Sequence, residues 1–273
     1  MSTLLANPFQ RQEELKNWNQ PIITNLKCLV LGVGGLGFNI SADLCRLGVK
    51  SIVLLDMDTV DTHNLNRQIL YRAEHVGRPK VVCAKEELER HHVLNEINIQ
   101  IHNVNALEHW QVTIQLIKEC DVIFNTIDHG DYFDYVVCSL AHKYGKPLVL
   151  GGTDPHYGHS VSYFLQGIRE ADPKYSDCHD LKNPNEVTQL ELIESYDNIM
   201  YLPKDVHPVL GGSTVYSAGT CSHLMVCAVT NYLFHLVDSD RPDPPKQMLF
   251  NLMTMESTRW FSSNIDGVMC YTK

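Results

Sequence analysis

The stretch Cys28-Leu29-Val30-Leu31-Gly32-Val33-Gly34-Gly35-Leu36-Gly37 decides the fold. A short β-rich apolar run passes directly into a glycine-rich turn. Gly35–Leu47 then carries apolar residues at helical spacing (Leu36, Ile40, Leu44, Leu47) and stops at Gly48. Such a strand–turn–helix lets the backbone approach a phosphate and offers it the free N–H groups of a helix start. The next apolar run, Ser51–Leu55, leads into Asp56 and Asp58, about twenty residues past the glycines, where a carboxylate meets a nucleotide ribose. On these two features a bare dinucleotide-binding fold stays open.

Outward from this stretch the alternation continues. The pattern predicts a helix over Pro79–His91 with Pro at its start, a strand over Ile97–Val104, a helix over Trp110–Cys120 and a strand over Val122–Thr126. A helix over Tyr132–Tyr144 and a strand over Pro147–Leu150 follow. This order implies an α/β, Rossmann-like, mainly parallel sheet with helices on both faces. The chain is expected to cross to an edge after Gly151-Gly152, where His159–Leu165 alternates like an antiparallel strand. Residues 167–212 hold Pro173, Pro184, Pro203 and Pro208, an acidic bias and little periodicity, and read as a long crossing segment with one helix around Val187–Ser195. Thr214–Val237 is a near-continuously apolar helix, expected in the core or at a subunit interface. Gln247–Met253 and Thr258–Ser262 read as a terminal hairpin, an antiparallel C-terminal extension. The organisation is thus an N-terminal arm (1–27), an ATP-binding part (28–166), the crossing segment (167–212), and a helix and hairpin of the same domain (213–273).

Composition narrows the function. Over 273 residues the net charge is −10, with a pI near 5.7, which argues against nucleic-acid backbone binding. Nine cysteines occur with no C-x-x-C pair, the pattern of a reduced intracellular protein. Met1–Gln20 is polar and carries Arg11, Glu13, Glu14 and Lys16, unlike a signal peptide. No uninterrupted apolar run approaches about 18 residues, so no membrane span is expected and a cytoplasmic location follows.

The charges after the glycines point to chemistry. Asn64-Leu65-Asn66-Arg67-Gln68 and Gly77-Arg78-Pro79-Lys80 follow in order. Hydride transfer needs no cations around a triphosphate. Attack of a carboxylate on the α-phosphate of ATP drives charge onto the departing pyrophosphate, where a fixed Arg fork and a Lys point charge stabilise it. Magnesium favours hard oxygen ligands, and Asp128 falls at the carboxyl end of a parallel strand, where ligands of such sheets bind. Taken singly, Arg67 and Lys80 also read as surface charge, and Asp128 as a helix N-cap.

Together these motifs make the chain resemble the superfamily that joins ubiquitin-like-protein activating enzymes to the MoeB-ThiF-type sulfur-carrier adenylyltransferases. The resemblance runs from about Phe9 to Phe261 and is most specific from Gly32 to Lys80. It implies that Gly32, Gly34, Gly35 and Gly37 cradle phosphate, that Asp56 binds the ribose, and that Asn64, Arg67, Gln68 and Lys80 hold the phosphates. It further implies that Asp128 carries magnesium, and that Arg11 reaches across a homodimer or pseudo-symmetric heterodimer to the partner's ATP. The implied partner is a ubiquitin-like or β-grasp carrier protein.

Two departures stand out. Relatives carry two C-x-x-C pairs for a structural zinc; here Tyr175-Ser176-Asp177-Cys178 and Cys270 are what remains, and four-ligand closure fails, so no structural zinc is expected. The catalytic cysteine of relatives that form a thioester has no counterpart between His179 and Thr220, and Ser213 stands near its position, with His207 the only nearby imidazole in sequence. Cys221 and Cys227 lie in the apolar helix and read as core packing. His129, His156 and His159 read as a solvated loop or a metal trio. The leading expectation is ATP-dependent adenylation of a carrier's C-terminal carboxylate. A degenerate, non-catalytic subunit of an activating-enzyme heterodimer is the alternative. Adenylation of another carboxylate or of an RNA-linked group comes third.

Overall fold

The computed structural model describes residues 7–93, 96–129, 131–154, 160–167, 213–242 and 244–260. In chain order its elements are α1 (Gln10–Glu13), α2 (Gln20–Thr24), β1 (Lys27–Leu31), α3 (Gly35–Leu47), β2 (Ser51–Leu55), α4 (Lys80–His91), β3 (Asn98–His102) and α5 (Trp110–Glu119). Then come β4 (Val122–Asn125), α6 (Asp131–Lys143), β5 (Leu148–Asp154), β6 (Ser160–Gln166), α7 (Val215–Val237), β7 (Gln247–Asn251) and β8 (Glu256–Trp260). Two 3-10 turns, Thr62–Asn64 and Ala73–His75, lie between β2 and α4.

Among the described residues the strands form one eight-stranded sheet, ordered β3-β2-β1-β4-β5-β6-β7-β8. The pairs from β3 through β5 are parallel, and those from β5 to β8 antiparallel. The central strands β1, β2 and β4 are apolar on both faces apart from a polar residue at one end of each, because both faces are covered. Cys28, Val30, Ile52 and Leu54 face one layer, with Phe38 and Ile40 of α3, Leu88 of α4 and Met225 of α7. Their alternates Leu29, Leu31, Val53 and Leu55 face the other, with Trp110 and Ile117 of α5 and Phe133 and Leu140 of α6. Each such side chain stabilises the fold by roughly 1.5–3 kcal/mol through burial.

The expected fold class is the one observed, and α3 and β2 keep the bounds read from sequence. The break after Gly151-Gly152 is corrected: β5 runs straight through both glycines to Asp154 before the sheet turns antiparallel. Gly151 serves close packing. A Cβ there would lie 2.6 Å from the Met225 sulfur and 3.0 Å from that of Cys221, because α7 crosses β5 at this point. Thr214 caps α7, its hydroxyl accepting the Ser217 N–H at 3.2 Å while the Ser217 hydroxyl accepts the Thr214 N–H at 3.0 Å. By length and composition α7 is apolar enough to cross a membrane. In this fold its Cys221–Met225–Val229 stripe is buried in the layer over the sheet.

Core packing of Cys227 is also corrected. Cys221 is buried, whereas Cys227 is exposed. A helix lying on a sheet keeps an outward stripe, and Tyr216, His223, Cys227 and Asn231 occupy it. The helix expected at Val187–Ser195, the residues Cys178, His179, His207 and Cys270, and the histidines His156 and His159 lie outside the described residues.

Candidate nucleotide site

The site forms where the sheet order reverses. After β1 the chain crosses to the α3 layer, and after β4 to the α6 layer, so a crevice opens between the carboxyl ends of two adjacent parallel strands. The glycine turn fills one side of it. Gly32 has φ +85°, and a Cβ there would come within 2.9 Å of the Thr126 hydroxyl; a Cβ at Gly37 would overlap the Gly32 carbonyl oxygen. Thr126 ties the turn to β4, its N–H donating to Leu31 O at 2.8 Å and its hydroxyl lying 2.9 and 3.0 Å from Leu31 O and Gly32 O.

Asp56, expected to bind ribose, is buried at the end of β2. Its Oδ2 accepts the Val33 N–H at 2.6 Å and its Oδ1 the Asp58 N–H at 2.8 Å. Burial pushes its carboxyl up, and the Lys80 cation and these two N–H groups pull it back. A carboxylate has about four acceptor positions, so lone pairs remain for a hydroxyl.

Lys80 is the first residue of α4 and almost wholly buried. A bridge between Thr59 and Pro79, with the Lys80 N–H donating to Asp58 O at 2.9 Å, folds it back beside β2. There its ammonium meets the half-exposed Asp58 carboxylate at 2.8 Å. Arg67 lies over the start of α3, its Cγ and Nε each 3.6 Å from where Gly35 would carry a Cβ. It donates to His63 O and Asn66 Oδ1 and makes no ion pair among the described residues. Among the described residues its positive charge thus has no carboxylate partner, and it lies beside the start of α3, whose first N–H groups have no acceptor within the helix, an anion site by charge and by donors.

Gln68 tests the fit. It is 2% exposed, its Oε1 is buried with no hydrogen-bond partner among the described residues, and its Nε2 lies 3.8 Å from the Gly34 Cβ position. Such an orphan costs about 1–3 kcal/mol until something bonds to it. A nucleotide hydroxyl fits it as placed, and a half-turn of the amide presents donors to a phosphate instead. Asn64 uses its Oδ1 on the Asp61 N–H, capping the Thr62–Asn64 turn.

Asp128 is exposed, three residues beyond Asn125 at the end of β4. Among the described residues no group of three His, Cys, Asp or Glu could hold a metal. A divalent ion held by Asp128 would therefore take its other ligands from water and phosphate oxygens, as magnesium at a nucleotide does. Arg11 is not brought to this site. Its side chain is 95% exposed and lies 3.9 Å from the Glu14 carboxylate. Gln12 of the same helix reaches Leu47 O, at the opposite end of α3 from the glycine turn, about 20 Å away at 1.5 Å per residue.

Ser213 carries no imidazole neighbour among the described residues; its hydroxyl lies 3.4 Å from that of Ser217. Burial pushes the Cys221 thiol up to about 12. Sequence reasoning missed Thr126 and Tyr71. Thr126 read as the last residue of a strand, and Tyr71 lay between the motifs and elements that the sequence marks, with no role read for it. Yet the Tyr71 hydroxyl lies 2.9 Å from Val33 O and 3.2 Å from Lys80 O.

The family model described as the ThiF family matches residues 9–266. The chain belongs to the ThiF family. Its curated relatives include SUMO-activating enzyme subunit 2 of Dictyostelium discoideum, 31% identical over 54% of this chain and 22% of that protein. The NEDD8-activating enzyme E1 catalytic subunit of Arabidopsis thaliana is 32% identical over 50% of this chain and 31% of its own length. A sulfur carrier protein adenylyltransferase of Thermus thermophilus is 34% identical over 45% of this chain and 44% of its own length. The chain thus spans less than half the length of these relatives. In fold it is similar to E. coli MccB, solved with ATP, at a TM-score of 0.71 and 18% identity over 94% of this chain and 72% of that one.

Proposed function

We propose that this ThiF-family chain is an ATP-dependent adenylyltransferase acting on the C-terminal carboxylate of a ubiquitin-like or sulfur-carrier-like protein. The observation that carries the reading is the convergence, at one crevice, of the glycine turn, an Arg67 without a carboxylate partner among the described residues, a buried Lys80, and a Gln68 whose Oε1 has no hydrogen-bond partner among them. A scaffold subunit has no use for such a set. The carrier's carboxylate oxygen bonds to the α-phosphorus as the bridging O–P bond breaks, and the electron pair leaves on pyrophosphate. Arg67 and Lys80 stabilise that charge where it develops. The residue to hold magnesium is Asp128, and the ion would supply further charge neutralisation at the phosphates.

The acyl group then passes to an external nucleophile; Cys221 is buried with its thiol raised to about 12, and the exposed Cys227 lies on the stripe of α7 that faces away from the sheet. The names of the curated relatives support the carrier class. The site is further read as completed in a dimer, cytoplasmic and without nucleic-acid or membrane partners, with Arg11 serving the other protomer's nucleotide. Its position at the far end of α3 supports that assignment. Pyrophosphate–ATP exchange with a purified ubiquitin-like protein ending in Gly-Gly tests the reading. Carrier-dependent exchange is expected. Intact ATP binding with no exchange for any such carrier would sink it.

A further inference from the structure

Resting on the nucleotide-site reading above, we infer that Tyr71 is a positioning residue that locks one peptide of the glycine turn so that it faces phosphate. The Val33–Gly34 peptide is the one at issue. Val33 is held from both sides: its N–H donates to Asp56 Oδ2 at 2.6 Å, and its carbonyl accepts from the Tyr71 hydroxyl at 2.9 Å. In a trans peptide the carbonyl of one residue and the N–H of the next point in opposite directions. Pinning the Val33 carbonyl inward on Tyr71 therefore aims the Gly34 N–H outward, on the side where α3 begins.

Without the pin, resistance to rotation of this peptide comes from the buried, branched Val33 side and not from Gly34. Gly34 has no Cβ, and a Cβ built there would meet nothing closer than the Gln68 amide at 3.8 Å. A flipped peptide would present a carbonyl dipole to the anion and repel it. Tyr71 is itself fixed. It is 4% exposed, and its ring packs against Phe38 at 4.4 Å between centroids and edge-on to His75 at 6.3 Å. His75 in turn sits beside Glu87, which also takes Arg72 and Arg90, each at 2.6 Å. The hydroxyl's second neighbour is the Lys80 carbonyl at 3.2 Å, so one phenol couples the turn to the start of α4. Burial pushes the Tyr71 hydroxyl far up, which keeps it a neutral donor.

The test compares ATP with adenosine, binding of each being followed by ligand-observed NMR and by calorimetry. In Tyr71→Phe the ring stays and the pin goes. The dissociation constant for ATP is expected to rise about tenfold, the loss of roughly one hydrogen bond, while that for adenosine is unchanged. Phe38→Leu loosens the same packing but keeps the hydroxyl, and should lower the melting temperature without a phosphate-dependent loss. Equal losses for ATP and adenosine in Tyr71→Phe, or none for either, would overturn the lock. Wild-type protein that fails to bind ATP at all would overturn the nucleotide reading itself, a separately recognisable result.

Discussion

Replacing Lys80 separates two roles that its position allows. Its side chain is 9% exposed and meets Asp58, 53% exposed, at 2.8 Å. Lys80→Met keeps the aliphatic length in the buried channel and deletes only the charge. The backbone bond from Lys80 N–H to Asp58 O is untouched, so α4 still starts at the same place. Because Asp58 is half in water, losing that pair should itself cost at most about 1 kcal/mol of stability, and the buried Asp56 carboxyl, which Lys80 pulls down, should be pushed further up. The rate should fall far more, by roughly a hundred- to a thousand-fold in pyrophosphate exchange, the loss expected when one preorganised charge-stabilising donor goes. A second effect could mimic this, since the variant leaves a bare Asp58 carboxylate beside the triphosphate. The double variant Lys80→Met/Asp58→Asn removes it. If Lys80 stabilises departing pyrophosphate, the double variant should regain ATP affinity but stay slow in exchange. Wild-type exchange in Lys80→Met, or full recovery of rate in the double variant, would refute the argument.

Asp128→Asn should shift the magnesium titration of exchange to higher concentration more than it weakens nucleotide binding, because an amide is the poorer hard-cation ligand; superimposed magnesium curves would reduce Asp128 to a surface residue. Maleimide at pH 8 with peptide mapping should modify exposed Cys227 and spare Cys221, whose thiol is buried and raised to about 12. Rapid labelling of Cys221, or a thiol-sensitive carrier adduct mapped to it, would contradict the external-nucleophile reading. If Arg11 acts in trans, mixing inactive Arg11→Ala with inactive Lys80→Ala protein should restore about a quarter of wild-type exchange, since half of the shuffled dimers carry one whole site. No recovery on mixing would leave Arg11 without that role.

What the sequence by itself determined is local. Glycine spacing, apolar periodicity and the acidic end of the second strand are written within about twenty residues of one another, and backbone sterics with burial read them directly. They were enough for the parallel part of the sheet, for the α3 and β2 bounds, and for the candidate Asp56, whereas Arg67 and Lys80 were singled out by the charge that a departing pyrophosphate needs met, and Gln68 by the family resemblance alone. Gly151 was misread because a glycine needed for a helix crossing overhead looks, in one dimension, like a turn. Cys227 was misread because near-continuous apolarity hides which stripe of a helix faces out. Only the tertiary structure decided which distant groups meet. It brings the Thr126 hydroxyl onto Gly32, 94 residues back, and that of Tyr71 onto Val33, 38 residues back. It also sends Arg11 to the far end of α3. Such contacts leave no periodic trace, because a single hydroxyl satisfying a single carbonyl constrains one position and not its neighbours.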